Sequence, residues 1–305
     1  MTTGSPPSIS VVIPAYNAEA WIAATIEAVL GQTVSPEEII VVDDGSRDRT
    51  RSELEPFGDR LRIIGQENAG PAAAYNTGFR AAAGDFVAKC PADDIWVPEK
   101  LEWQLEVLTD HPEVDVAFGR GRDFGTREGD LPTPPAPGVL KGPEFLSTLY
   151  RKNVIASPTA VVRRALHDRL GGFREDLAAG EDYDFWLRAL QAGAAFFFDP
   201  RLLANLRKHD GNLSLQPLVV WETNYRIHGW HAESVDDPGL ANRTLASDLL
   251  TLARCRLGAD QVREARSAYR SSLRHRPSLM GILGTVGLSI PGSAAAVRKL
   301  NLLRA

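Results

Sequence analysis

Ile39-Ile40-Val41-Val42-Asp43-Asp44-Gly45-Ser46 decides how this chain is read: four β-branched aliphatics run straight into adjacent carboxylates. A short, continuous apolar run of this kind is expected as a strand buried on both faces. Two acids at its exit repel one another, and burial adds desolvation to that cost. A cation together with a polar ligand is the economical reason to keep them there. The pattern recurs along the chain. Phe86–Ala88 is followed shortly by Asp93-Asp94, and Glu181-Asp182 opens an amphipathic segment.

Working outward, Ser10–Ile13 is a second β-branched run, ended by Pro14, and Leu61–Ile64 and Phe86–Ala88 read as further strands. Between them Trp21, Ile22, Thr25, Ile26, Val29 and Leu30 recur at helical spacing, and Arg49–Leu54 and Ala72–Ala82 carry helical patterns too. Strand–helix alternation predicts parallel crossovers and an α/β sandwich. In such sheets ligands bind at the carboxyl ends of the strands, where Pro14-Ala15-Tyr16, Asp43-Asp44 and Asp93-Asp94 are expected to meet. Downstream, Pro98 opens a helix bearing Leu101, Leu105 and Leu108, and Val114–Phe118 and Thr159–Val162 read as strands. The Gly- and Pro-rich stretch Gly119–Pro143 reads as a loop. Asp182–Ala192 reads as a helix closed by Gly193, and Phe196–Phe198 returns to the sheet. After about Ser214 strand patterns cease. Leu245–Leu257 and Asp260–Leu273 form a helical pair that resembles one tetratricopeptide-like hairpin, a packing or docking appendage. The expected division is residues 1–215 and a helical region, residues 216–305.

Composition narrows the partners. Apolar residues make up 44% of 305 and charged residues 24%, as in an ordinary globular protein. A net charge of −5 argues against nucleic acid. Cys90 and Cys255 lack metal spacing and read as free thiols, and Met1–Ser8 lacks the basic-then-apolar order of a signal peptide, so the expectation is cytoplasmic. Leu279–Val297 is uncharged but rich in glycine, and Arg274, Arg276, Arg298, Lys299 and Arg304 flank it. It reads either as a packed C-terminal cap or as an interfacial segment on anionic lipid, peripheral at the inner face of a membrane.

The motifs, taken in order from about Ser10 to Ser214, resemble family 2 glycosyltransferases of the GT-A fold. The resemblance implies a mainly parallel, Rossmann-like mixed sheet flanked by helices, with the helical C-terminal appendage. It implies that Pro14, Ala15 and Tyr16 line a pyrimidine base, with Asp44 accepting its N3–H. Gly70 and Asn76 bring backbone to the nucleotide, although Tyr75 stands where many relatives carry Arg. Asp93 is implied as metal ligand and Asp94 as its neighbour that orients it or the sugar, both binding the donor, although Pro91 replaces the first acid of that motif. Asp182 is implied as catalytic base, its ionised form favoured at a helix start, which lowers its basicity. Glu181 and Trp186 are implied to orient an acceptor. His209, within Leu206–His209, is implied to close over the diphosphate and ligate Mg²⁺ or Mn²⁺. The implied activity is inverting transfer from a UDP- or dTDP-sugar to a hydroxyl of a saccharide or glycolipid, in polysaccharide or glycoconjugate biosynthesis at the cell envelope. Pro91 and Tyr75 keep open a degenerate nucleotide-sugar-binding or scaffold protein. A nucleotidyltransferase would want a Gly-rich loop with Arg and Lys, and Pro14–Ala20 offers neither.

Overall fold

Strand β1 (Ile9–Ala15) sends Val11 and Ile13 to one face of a sheet and Val12 to the other, all fully buried. Both faces are therefore covered. The computed structural model describes residues 7–290 and 294–297. After β1 come β2 (Glu38–Asp43), β3 (Arg62–Gly65), β4 (Phe86–Lys89) and β5 (Ile95–Trp96). They are followed by β6 (Val116–Gly125), β7 (Gly129–Asp130), β8 (Gly138–Leu140), β9 (Val161–Arg163) and β10 (Phe196–Lys208). The sheet runs β3-β2-β1-β4-β9-β6-β10-β5, with β7 paired to β6 and β8 to β10. Strands β1 to β4 are parallel, β9 is antiparallel to β4 and β6, and β10 runs parallel to β6. The chain steps outward from β1 to β3 and returns to the other side of β1 as β4. That reversal makes a crevice at the carboxyl ends of β1 and β4.

Helices α1 (Ile22–Leu30), α2 (Thr50–Leu54), α3 (Pro71–Ala81), α4 (Lys100–Asp110), α5 (Gly142–Arg151), α6 (Arg164–Arg169) and α7 (Glu181–Gln191) belong to the same unit. Ile22, Ile26 and Val29 of α1 join Val11 and Ile13 in one core. On the opposite face α3 comes so close that a Cβ on Gly78 would lie 2.2 Å from a Val12 methyl. Glycine there is a packing requirement.

Two expectations need correction. The stretch after Phe118 is not one loop: β6 continues to Gly125, and β7 and β8 follow. Gly119 and Gly121 are there for closeness, since a Cβ on either would meet Leu203 or Leu206 of β10 at 2.6 and 2.9 Å. The last strand also runs far beyond Phe198, to Lys208. Pro200 is accommodated where the register against β6 shifts, between Asp199 and Leu202.

The described chain divides into two units, the second comprising Ala178–Gly180 and the residues from Asp210 onward. It holds α8 (Pro217–His231), α9 (Pro238–Gly258), α10 (Val262–His275) and α11 (Leu279–Gly287). Ala253, Leu257, Ala265 and Tyr269 bring α9 and α10 together in a buried cluster. Among the described residues no helix is long and apolar enough to cross a membrane. Of the C-terminal segment anticipated as cap or interface, residues 291–293 and the stretch from 298 lie outside the described residues.

Candidate active site

At the end of β1, Tyr16 is exposed (48%) and Asn17 adopts a left-handed φ of 49°. Asparagine tolerates that conformation because its side chain bonds locally. Here the Asn17 N–H donates to Ser46 Oγ at 3.1 Å, and Asn17 Oδ1 accepts from the Arg47 N–H at 2.9 Å. The first β-strand exit is thereby tied to the second, and the phenol is left facing solvent.

The Asp43-Asp44 pair divides its labour. Asp43 is consumed by structure, accepting from the Ser46 N–H at 2.9 Å and from Arg51 Nε at 2.6 Å. Burial works to raise its pKa, but the Ser46 bonds and then Arg51 outweigh it and hold the carboxyl below its usual value. Asp44 is buried, and its own N–H donates to the Ala15 carbonyl at 2.8 Å. Its Oδ1 accepts from Gln66 Nε2 at 2.8 Å and the Ala69 N–H at 2.9 Å, and its Oδ2 accepts from the Gly70 N–H at 2.9 Å. A carboxylate offers about four acceptor sites. Three go to holding the Gln66–Gly70 turn, so roughly one is left for a ligand donor. Gly70, at φ 89°, starts α3 and is committed to Asp44, so its N–H does not serve a nucleotide.

The Asn76 side chain is taken up by the protein itself. It is buried, its amide donates to the Phe173 carbonyl at 2.9 Å and to Glu175 Oε1 at 2.8 Å, and its oxygen accepts from the Phe173 N–H at 2.8 Å with His167 Nε2 at 3.1 Å. All four hydrogen-bonding positions of the amide are filled by protein. Asn76 fastens the segment after α6 to α3.

Asp93 and Asp94 likewise separate. Asp94 is buried, and its Oδ1 accepts the Arg207 N–H at 2.8 Å, which ties the loop after β4 to β10. Burial, and then the Asp93 charge, push its pKa well above the carboxylate range. Asp94 therefore makes a structural tie through Oδ1, beside the donor-orienting role implied for it. Asp93 stays partly exposed, with its Oδ2 3.1 Å from His209 Nε2. The His209 ring stacks on Trp21 with centroids 5.5 Å apart. The Arg207 guanidinium lies 4.5 Å over the Trp21 ring and 4.5 Å over Phe124, while its Nε donates to the Asp93 carbonyl at 3.0 Å. Trp21, read from the sequence as an ordinary apolar helix position, is the platform that orders both basic side chains.

Neighbouring ligand atoms on an octahedral divalent ion with bonds of about 2.1 Å stand about 3.0 Å apart. The Asp93–His209 separation of 3.1 Å meets that spacing; the carboxylate suits Mg²⁺ or Mn²⁺, while the softer imidazole nitrogen fits Mn²⁺ better than Mg²⁺. Among the described residues no group of three or more His, Cys, Asp or Glu is placed to hold a metal. The remaining ligands would have to come from water and a bound diphosphate.

At the start of α7, Glu181 and Asp182 are both half-buried. The macrodipole at a helix start argues for a lowered Asp182 pKa, yet burial and the adjacent Glu181 charge push it up to about 6. Lys89, the Tyr183 N–H and the Ser157 hydroxyl pull the other way and are outweighed. Desolvation beats the dipole here, and the carboxylate is more basic than its sequence position suggests.

Lys89 is the functional residue that sequence reading misses. It ends β4, is fully buried, and places Nζ 4.2 Å from the Tyr75 ring centroid, 4.3 Å from Phe173 and 6.0 Å from Trp186. Its Nζ also lies 3.4 Å from the Glu181 carboxylate, at Oε1. The signal was a charge inserted between an apolar run and an acid pair. The Tyr75 phenol lies within electrostatic reach of Glu181, Asp94 and Asp93, so the acidic sites of β4 and α7 share one neighbourhood. Trp186 does not face an acceptor: it is fully buried, packed edge-on against Phe185 and Phe196. It walls the Lys89 site instead.

A family model described as "Glycosyl transferase family 2" matches residues 10–171. The chain is 33% identical to an Escherichia coli UDP-Glc:alpha-D-GlcNAc-diphosphoundecaprenol beta-1,3-glucosyltransferase, over 60% of this chain and 70% of that protein. It is 29% identical to an uncharacterized glycosyltransferase of Rickettsia typhi, over 71% of this chain and 70% of the relative. Among solved structures, S. aureus TarS 1-349 in complex with UDP-GlcNAc superposes with a TM-score of 0.70 at 18% identity, covering 97% of this chain and 92% of that one. A mannosyltransferase of Pyrobaculum calidifontis, solved with GDP-Man and Mn²⁺, gives 0.62 at 18% identity, covering 98% and 86%. The mixed sheet with its flanking helices is the GT-A fold. With motif order, fold and family match in agreement, the chain is a glycosyltransferase and belongs to glycosyl transferase family 2.

Proposed function

We propose that the protein moves one sugar from a UDP- or dTDP-sugar to an acceptor hydroxyl, with inversion at the anomeric carbon. The observation that carries this reading is Asp182, a half-buried carboxyl with its pKa lifted to about 6, in one neighbourhood with the Asp93–His209 pair. A base with a pKa near the working pH combines the right protonation state with useful proton affinity. Tyr16 offers an exposed ring to the base, and the remaining acceptor capacity of Asp44 suits a pyrimidine N3–H.

Asp93 and His209 would hold Mg²⁺ or Mn²⁺, which supplies positive charge against the departing diphosphate when bound. Arg207, held in place between Trp21 and Phe124, adds fixed positive charge at the same strand end. Asp182 takes the acceptor proton as the acceptor oxygen bonds to the anomeric carbon. The bond from that carbon to the diphosphate oxygen breaks, and its electron pair leaves with the diphosphate. A single displacement inverts the centre. Lys89 pairs with Glu181 and lowers the Asp182 pKa, so it is a positioning residue that keeps part of the acid pair ionised.

The E. coli relative's diphosphoundecaprenol-linked acceptor supports a saccharide on a lipid carrier and a place in cell-envelope polysaccharide assembly. Two free thiols support a reducing, cytoplasmic setting. The test is a thermal-shift panel of nucleotide sugars, with and without Mn²⁺, followed by NMR of the product's anomeric centre. Stabilisation by UDP- or dTDP-sugars over CDP-sugars is expected, because cytosine has no N3–H. Equal stabilisation by CDP-sugars overturns the Asp44 assignment, and retained configuration overturns the single displacement.

A further inference from the structure

Residues 265–305 contain no Asp or Glu but carry Arg266, Arg270, Arg274, Arg276, Arg298, Lys299 and Arg304, in a chain of net charge −5. Positive charge is therefore concentrated at one end of an otherwise acidic protein. Within this stretch, Ser278 caps α11 by accepting the Gly281 N–H at 3.1 Å. One face of α11 is made of glycine. A Cβ on Gly284 would come within 2.4 Å of the Tyr269 ring, and one on Gly281 within 2.7 Å of Leu273. These two positions let α11 lie directly on α10.

The other face is apolar and open. Leu279, Ile282, Leu283 and Val286 are 57%, 47%, 40% and 57% exposed. Their spacing is i, i+3, i+4 and i+7, which gathers them into one stripe about 100° wide, opposite the glycines. Isolated exposed aliphatics are common, but a continuous stripe marks a contact surface. Arg274 and Arg276 are exposed just before this helix, and residues 277–305 include no Asp or Glu. A bilayer with anionic headgroups offers both what the stripe and its cations require: an apolar interior below a negative surface. A helix of nine residues is far too short to span it.

We propose that α11 docks in the headgroup–acyl boundary of a membrane carrying anionic phospholipid, with Leu279, Ile282, Leu283 and Val286 inserted and Arg274 and Arg276 on the headgroups. The inference is independent of the donor and acid–base assignments, since its test reads membrane binding alone. The full chain is sedimented with vesicles of phosphatidylcholine, and with vesicles of phosphatidylcholine plus phosphatidylglycerol. Binding to the anionic vesicles only is expected. Arg274→Gln with Arg276→Gln should weaken it about 5-fold per cation, and Ile282→Asp with Val286→Asp should abolish it, all with unchanged melting temperature. No binding to either vesicle, equal binding to both, or binding unaffected by these exposed substitutions overturns the proposal. So does a dimer that Ile282→Asp with Val286→Asp converts to monomer without vesicle binding, because the stripe then belongs to a second copy.

Discussion

Replacing Lys89 by methionine removes a fully buried cation 3.4 Å from Glu181 while keeping most of the side-chain volume among Tyr75, Phe173 and Trp186. The charge favours ionisation of Asp182, so its loss raises the Asp182 pKa above the native value of about 6. A single charge at close range moves a carboxyl by about 1–3 units. In the native protein roughly nine-tenths of Asp182 is ionised at pH 7. In Lys89→Met the midpoint moves to about 7–9, leaving between about half and about one-hundredth ionised at pH 7. The protonated carboxyl cannot accept the acceptor's proton, so kcat/KM at pH 7 falls by the same factor and recovers as pH rises. The assay is kcat/KM from pH 5 to 9, read from released nucleoside diphosphate, for the native protein, Lys89→Met and Lys89→Arg. Native activity should fall tenfold per unit below about pH 6, the Met variant's limb should lie higher, and Arg should restore it. An unmoved limb, or an equal loss at every pH, refutes the electrostatic role and leaves Lys89 as packing.

Three further outcomes are expected. Asp182→Asn should keep donor affinity by calorimetry and cut kcat about 10²–10⁴-fold; unchanged turnover removes the base assignment. Asp93→Ala and His209→Ala should each reduce the Mn²⁺-dependent part of donor binding, and a native protein whose donor affinity ignores metal would count against the site. Tyr16→Ala should leave the melting temperature unchanged, because the side chain is half exposed, yet weaken donor binding by the about 1–3 kcal/mol typical of a base–aromatic stack.

The strands and their acidic exits were legible because a parallel strand must be apolar on both faces, so the first polar residues after Ile13, Val42 and Ala88 announce the crevice. Order along the chain also placed Asp182 and His209 in the series. The extent of β6 and β10 was not legible, because Gly119, Gly121 and Pro200 signal loops locally. Only Leu203, Leu206 and the register shift across β10 explain them.

Residue roles divide along the same line. Periodicity determined where carboxylates would sit, since burial pattern is a property of neighbouring residues. Tertiary structure decided what each carboxylate does, since that depends on donors and charges brought from far along the chain. Gln66, Ala69 and Gly70 occupy most of Asp44, and Arg207 claims Asp94. Burial and Glu181 raise Asp182 against its own helix dipole, and Lys89 opposes them from a strand 92 residues earlier than its partner Glu181. Hydrogen bonds and desolvation are short-ranged in space but not in sequence, so no local pattern records them.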